Sequence, residues 1–260
     1  MVEQMNTAVY APQTANLLAQ IHQLLPRLSG RLNDTAAGTF RLGCRNNIND
    51  IKQLYEHLQQ QHPEGGKIFW SCRTWALLIW QPIYLTVLSV QLLGKAVSLN
   101  RFGIITDRSG VAAYSLSPRA VYTGKPSHLV LFAGRQIKAT GDHIYTCLRE
   151  ITPFNMKLAA KLQTDCLVSA LLFQNTHYTQ NSKNELDRLI AEWLAAAGLP
   201  DCQATFYLNQ TRRTFGFNRQ ACCQEFRLTS GSLCDACPRL PLSERVYRMT
   251  QTESPLHAES

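Results

Sequence analysis

Phe102-Gly-Ile-Ile-Thr-Asp-Arg-Ser-Gly-Val-Ala-Ala-Tyr-Ser-Leu116 is the stretch that decides the class of fold. Two runs of strand-favouring residues flank Asp107-Arg-Ser-Gly110, a strand, Gly-containing turn and strand that predict a β-hairpin. Upstream of Leu99 the apolar period is helical instead. Leu17, Leu18, Ile21, Leu24 and Leu25 share one helical face before Pro26, and Ile51, Leu54, Tyr55 and Leu58 repeat the pattern after Asn49-Asp50. Residues 29 to 47, rich in Gly, Asn and Arg, read as a loop, and His62-Pro-Glu-Gly-Gly66 reads as a turn. Helices before a hairpin define an α+β chain.

Further along, Leu129-Val-Leu-Phe132 is a strand candidate, and a helical pattern runs from about Asp142 to Asn175 with a break at Pro153. Within it, Cys166-Leu-Val-Ser-Ala-Leu-Leu-Phe173 is an apolar run expected in the core. Ser182-Lys-Asn-Glu185 has the form of a capping box, with Leu186, Leu189, Ile190, Trp193 and Leu194 as the stripe behind it and Gly198 and Pro200 as the stop. Ala204-Thr-Phe-Tyr-Leu208 and Thr214-Phe-Gly-Phe217 read as a strand pair around a turn at 209–213. The expected organisation is a helical part over 1–98, an α+β part with central and C-terminal antiparallel strands and packed helices over 99–251, and a disordered tail over 252–260. The first two are expected to form one compact unit.

The longest apolar stretch, Ala76 to Val90, tests for a membrane span. A spanning helix needs about 20 mostly apolar residues, whereas this run is shorter, carries Gln81 and Pro82 in its middle, and is bounded by Arg73 and Gln91. A buried helix, broken or kinked at Pro82, is the expectation. Peripheral contact with a membrane surface stays open, since positive charge would assist it. The net charge is +8, which suggests an anionic partner. No Lys/Arg run or aromatic-interleaved motif is present, so nucleic acid is not the expected one.

Function concentrates in four cysteines: Cys222-Cys223, a gap of ten residues, then Cys234-Asp-Ala-Cys237. A loop of that length can fold both pairs onto one centre and supply the four sulfurs that zinc or an iron–sulfur cluster requires. Adjacent side chains in a strand point to opposite faces, so the vicinal pair needs a local kink or a centre larger than one ion. That weights the reading towards iron–sulfur, with structural zinc, disulfides and inert packing thiols as the alternatives. The N-terminus lacks the pattern of a secretory signal and the nine cysteines are odd in number, which weighs against disulfides. Cys44, Cys72, Cys147, Cys166 and Cys202 are scattered singly and read as packing cysteines.

Arg219, Arg227 and Arg239 read equally as charges that tune such a site and as ordinary solvated or carboxylate-paired side chains, and Pro238 equally as a restriction on the backbone beside Cys237 and as a loop-ending proline. His22, His57, His128, His143 and His177 read as surface or satisfied core histidines, with His128 and His143 bordering the central strands and His177 in a loop. Trp70, Trp75 and Trp80 recur at about helical spacing, for which core packing is the default.

Phe217-Asn-Arg-Gln-Ala-Cys-Cys-Gln-Glu-Phe-Arg-Leu228, followed by Cys234-Asp-Ala-Cys-Pro238, resembles the C-terminal signature of the FhuF-type ferric-siderophore reductases. The resemblance covers about residues 217 to 239. It implies one [2Fe-2S] cluster per chain held by Cys222, Cys223, Cys234 and Cys237, with no catalytic acid, base or nucleophile. It implies one-electron reduction of a ferric siderophore with release of ferrous iron, in the bacterial cytoplasm or at the inner face of its membrane. No Gly-x-Gly-x-x-Gly fingerprint is present, so the expected electron donor is a flavin- or ferredoxin-type protein or a small reductant. The competing reading is a zinc-stapled binding protein whose basic surface takes an anionic ligand or nucleic acid.

Overall fold

A computed structural model describes residues 2–32, 39–41, 47–107, 110–202, 205–209 and 214–251. The tail expected over 252–260, Cys44 and the middle of both hairpin turns lie outside the described residues. The chain is α+β. Three helices come first, α1 (Val2–Leu24), α2 (Asn47–Gln61) and α3 (Gly66–Leu93), with short strands β1 (Gly30–Leu32) and β2 (Thr39–Arg41) between the first two. Next come β3 (Lys95–Val97), β4 (Gly103–Asp107), β5 (Gly110–Leu116) and β6 (Val121–Thr123), then the helices α4 (Pro126–Arg149), α5 (Met156–Gln174) and α6 (Lys183–Ala197). The strand pair β7 (Phe206–Asn209) and β8 (Thr214–Gly216) leads to the cysteine segment, which α7 (Leu242–Gln251) follows.

The hairpin read at Phe102–Leu116 is β4–β5, with Ile104 opposite Tyr114 and a register shift between Ile105 and Thr106. Ile104, Tyr114 and Leu116 are fully buried, which locks the register because a one-residue slip would turn all three to the other face. The supposed loop over 29–47 proves to contain β1 and β2. These complete a four-stranded sheet in the order β1-β5-β4-β2, and β1 runs parallel to β5 rather than antiparallel. Three-residue strands are too short to show a period, so tertiary pairing alone reveals them.

Leu129–Phe132 is not a strand but the start of α4. Pro126 sits in the first turn, where its missing N–H costs nothing, and Leu129, Ala133, Ile137, Thr140, Ile144 and Leu148 are buried at helical spacing. Four apolar residues fit either period; the twenty around them fit only one. His128 and His143 accordingly lie on this helix, not beside strands. His177 lies in a π-helical turn, Asn175–Thr179, that extends α5, rather than in an irregular loop.

Helix α3 is the centre of the fold, packing most extensively against α5 and α4 and also against α1 and α2. It is one continuous element through Pro82, not a broken one, and ends at Gly94, whose φ of 61° is the left-handed conformation that glycine adopts without strain. By length and composition α3 is the one described helix that could cross a membrane, yet 67% of its most apolar window is buried inside this fold. Trp75 is buried on it, against Tyr145 and Phe154, whereas Trp70 and Trp80 are half-buried. One hydrophobic cluster runs from Leu17 on α1 to Ala221 beside the cysteines, so the 98/99 boundary does not separate two cores.

Helix α6 has the capping box read from its sequence: the Ser182 backbone N–H donates to Glu185 at 2.9 Å, and the Glu185 N–H donates to Ser182 Oγ at 3.4 Å. Ser182→Ala is expected to cost about 1 kcal/mol. The check is the urea midpoint, and an unchanged midpoint would show that solvent replaces the cap without loss.

Candidate metal centre

Strand β8 and the buried Phe217 carry the chain out of the core into the cysteine segment. Its entry is held from below. Asp165, on core helix α5, accepts hydrogen bonds from the backbone N–H groups of Gln220, at 3.0 and 3.1 Å to its two oxygens, and of Ala221, at 3.0 Å. On the outer side, the α7 residue Arg245 donates to Asn218 Oδ1 at 2.5 Å, and Arg248 donates to the Leu233 carbonyl at 3.4 Å. Helix α7 was missed in the sequence, although Leu242, Val246 and Met249 recur at i, i+4 and i+7 and are the signal that could have found it.

After Cys222 and Cys223 the chain turns sharply. Gln224 has φ 69°, left-handed backbone that a non-glycine residue seldom takes, and its side chain accepts from Arg227 Nε at 3.0 Å. A 3-10 turn, Glu225–Arg227, follows and is tied to α3 by the Arg73–Glu225 ion pair at 3.4 Å. The second pair is brought together by its own turn, the Cys237 N–H donating to the Cys234 carbonyl at 2.9 Å.

The four sulfurs meet. Cys222 Sγ and Cys237 Sγ are 3.8 Å apart, and Cys223 takes thiol hydrogen bonds from both Cys222 and Cys234. Those two bonds hold the Cys223 thiol well below its ordinary range and push Cys222 and Cys234 up. Backbone N–H groups of Gln224 and Glu225 are directed at Cys222 and Cys223 respectively. Arg219 Nη1 lies 3.9 Å from Cys234 Sγ, and its Nε lies 3.7 Å from Asp165. No protein-family model matches the chain.

Two thiolates on one tetrahedral ion with metal–sulfur bonds of about 2.3 Å stand about 3.8 Å apart, so the Cys222–Cys237 spacing fits a shared metal. Among the described residues, no group of three or more His, Cys, Asp or Glu side chains is arranged to hold a metal ion. The chemistry of the donors nevertheless suits an iron–sulfur group: four soft thiols linked in sequence, Cys237 to Cys222, Cys222 to Cys223 and Cys223 to Cys234, with a guanidinium beside one sulfur.

Of the arginines flanking the segment, Arg219 reaches a cysteine sulfur, that of Cys234. Arg239 stacks over the Phe226 ring at 4.5 Å, with Arg227 at 5.6 Å from the same ring. The histidines serve elsewhere: His143 hydrogen-bonds Asn47 at 2.6 Å, and His177 packs on Phe173.

A small solvent-open cleft reaches Cys223 between α3 and α5. Its walls include Cys72 and Cys166, so two cysteines read as packing residues line the approach to the candidate centre. Burial, and then the negative charge of Cys223, pushes the Cys72 thiol up to about 12, which keeps it protonated and unreactive. Each arginine of the cleft is set against a carboxylate, Arg73 against Glu225 and Arg219 against Asp165. Net positive charge at this opening therefore does not draw in an anion.

Burial raises Asp165 to about 6 from its ordinary 3.8, opposed by the Arg219 charge and the backbone donors. A carboxyl raised on folding stabilises most where both states are protonated, below about pH 4, and that contribution is lost as pH rises through 6. The loss is about 3 kcal/mol. Urea titrations of wild type and Asp165→Asn from pH 4 to 8 should show wild type losing stability relative to the variant; parallel curves would contradict the assignment.

Proposed function

We propose that this chain is an iron–sulfur oxidoreductase that reduces ferric iron bound to a siderophore by one electron, releasing ferrous iron. The observation that carries the reading is the contact of four thiols from Cys222, Cys223, Cys234 and Cys237, with the 3.8 Å spacing of Cys222 and Cys237 and the Arg219 guanidinium at Cys234. A [2Fe-2S] group held by these four residues supplies single electrons at low potential. Protein groups then do three things. The cysteine turn binds the group, the Gln224 and Glu225 N–H groups and Arg219 stabilise added negative charge on the sulfurs, and the core beneath Ala221 and Cys237 excludes water.

Ferric iron prefers hard anionic oxygen donors, and a hydroxamate or carboxylate chelate holds the ferrous ion far less tightly. Reduction is thus release, with no proton or group transfer by a side chain. The cleft that Cys223 lines is a solvent opening at the sulfurs, and in this reading it is the approach for a chelate or a donor protein. In this reading the donor is a flavin- or ferredoxin-type protein or a small reductant, and the setting is the cytoplasm or the inner membrane face.

Anaerobic purification tests the reading. The protein should be red-brown, carry about two irons per chain, and bleach on reduction; the reduced form should then deliver iron from ferric hydroxamate or citrate to a ferrous-specific trap. A colourless protein with stoichiometric zinc would replace this reading by the zinc-stapled binding protein.

A further inference from the structure

We infer that Asp165 is the positioning residue of the cysteine centre, holding the vicinal pair through the backbone and aiming Arg219 at Cys234. The inference rests on the reading that the four cysteines hold a metal centre. Asp165 sits mid-way along α5 as its one buried charged residue, and only 2% of its surface is exposed. A carboxylate there is costly to bury, and nothing in the packing of α5 against α3 calls for one. What it contacts is the cysteine segment. Both oxygens receive the Gln220 N–H, one also receives the Ala221 N–H, and Arg219 Nε stands 3.7 Å from the same oxygen.

Three consecutive residues immediately before Cys222 are thereby tied to one rigid side chain. The consequence is geometric. Fixing the amides of 220 and 221 sets the direction in which the chain enters the vicinal pair, and the turn at Gln224 then reverses it. Arg219, with Nε 3.7 Å from Asp165, extends across the site so that Nη1 stands 3.9 Å from Cys234 Sγ, on the far arm of the loop. One carboxylate thus links the core helix to both arms of the site. Asp165 touches no sulfur, so its role is exerted through Arg219 and the backbone. It is a support of the kind that sets ligand orientation in metal sites.

The experiment compares wild type, Asp165→Asn and Asp165→Ala, with circular dichroism to confirm that the helices form. Cobalt(II) titration of the reduced apoprotein, read by its thiolate charge-transfer band, should show binding at least tenfold weaker in Asp165→Ala. Asp165→Asn, which keeps an acceptor oxygen and the volume, should fall between the two. If the alanine variant does not fold, the asparagine variant decides. A second readout isolates the link through Arg219. Arg219→Gln should lower the midpoint potential of the iron–sulfur form in wild type, and at least half of that shift should vanish in the Asp165→Asn background. Wild-type cobalt affinity in the folded variants, or an undiminished Arg219→Gln shift, overturns the inference. A wild type that binds cobalt but assembles no iron–sulfur chromophore overturns the proposed function alone, and the cobalt affinities then decide. A wild type that binds neither metal overturns both.

Discussion

Cys222→Ser and Cys237→Ser are each expected to abolish the metal centre, with iron per chain falling at least tenfold and the visible chromophore lost. The two sulfurs are 3.8 Å apart, and Cys237 is 1% exposed, so neither position has a spare donor at hand to replace a lost ligand. Replacing one of four soft sulfurs by a hard serine hydroxyl removes on the order of several kcal/mol of metal affinity. Cys166→Ser is the control. That residue is buried in the wall of the cleft, outside the four-sulfur contact, and its variant should keep full iron content. Retention of iron in both ligand variants would mean that the sulfur contact is only packing.

Gly231→Ala is the second large effect, and it needs no change to any ligand. Gly231 lies in the ten-residue stretch between the cysteine pairs, where a Cβ would stand 1.9 Å from the carbonyl oxygen of Glu225 and 3.1 Å from that of Leu228. Both obstacles are backbone, and the Gly231 N–H is itself bonded to the Leu228 carbonyl at 2.9 Å. No side chain can swing aside to make room. The 3-10 turn must open, and with it the arm that returns Cys234 and Cys237 to Cys222. The expected result is a metal content reduced about tenfold, with about 1–3 kcal/mol lost in stability. The far-UV spectrum of the helical core should stay intact. Limited proteolysis should cut the variant between the two cysteine pairs, where wild type resists; equal resistance and full metal content would refute the close approach.

Much of the scaffold was legible because its signals are local. The capping box at Ser182, the stripe of α6 and the hairpin at 102–116 depend on residues within one or two turns of each other, and each formed where its pattern lay. The errors share one cause. Leu129–Phe132 was too short a window to separate a period of two from one of 3.6. The strands β1 and β2 were too short for any period, and α7 offers only three apolar positions, Leu242, Val246 and Met249, to mark its face. At the site, the spacing of Cys222, Cys223, Cys234 and Cys237 pointed to a shared centre without any tertiary information, because a ten-residue loop brings two pairs into reach on its own.

Residues that support the centre were a different matter. Asp165 lies more than fifty positions before Cys222 in a run that reads as core, and Arg73 meets Glu225 across a still longer separation. Nothing in the local sequence marks either of them. What the chain's order of residues determined alone is the grouping of four cysteines, the helices with clear stripes and the α+β class, all properties of short-range spacing. What only the tertiary structure decided is which core helix anchors the cysteine segment, which arginine reaches a sulfur and which glycine the loop requires. Those depend on atoms far apart in sequence meeting at hydrogen-bonding or van der Waals distance, and such meetings are set by the packing of α3 and α5 rather than by any pattern along the chain.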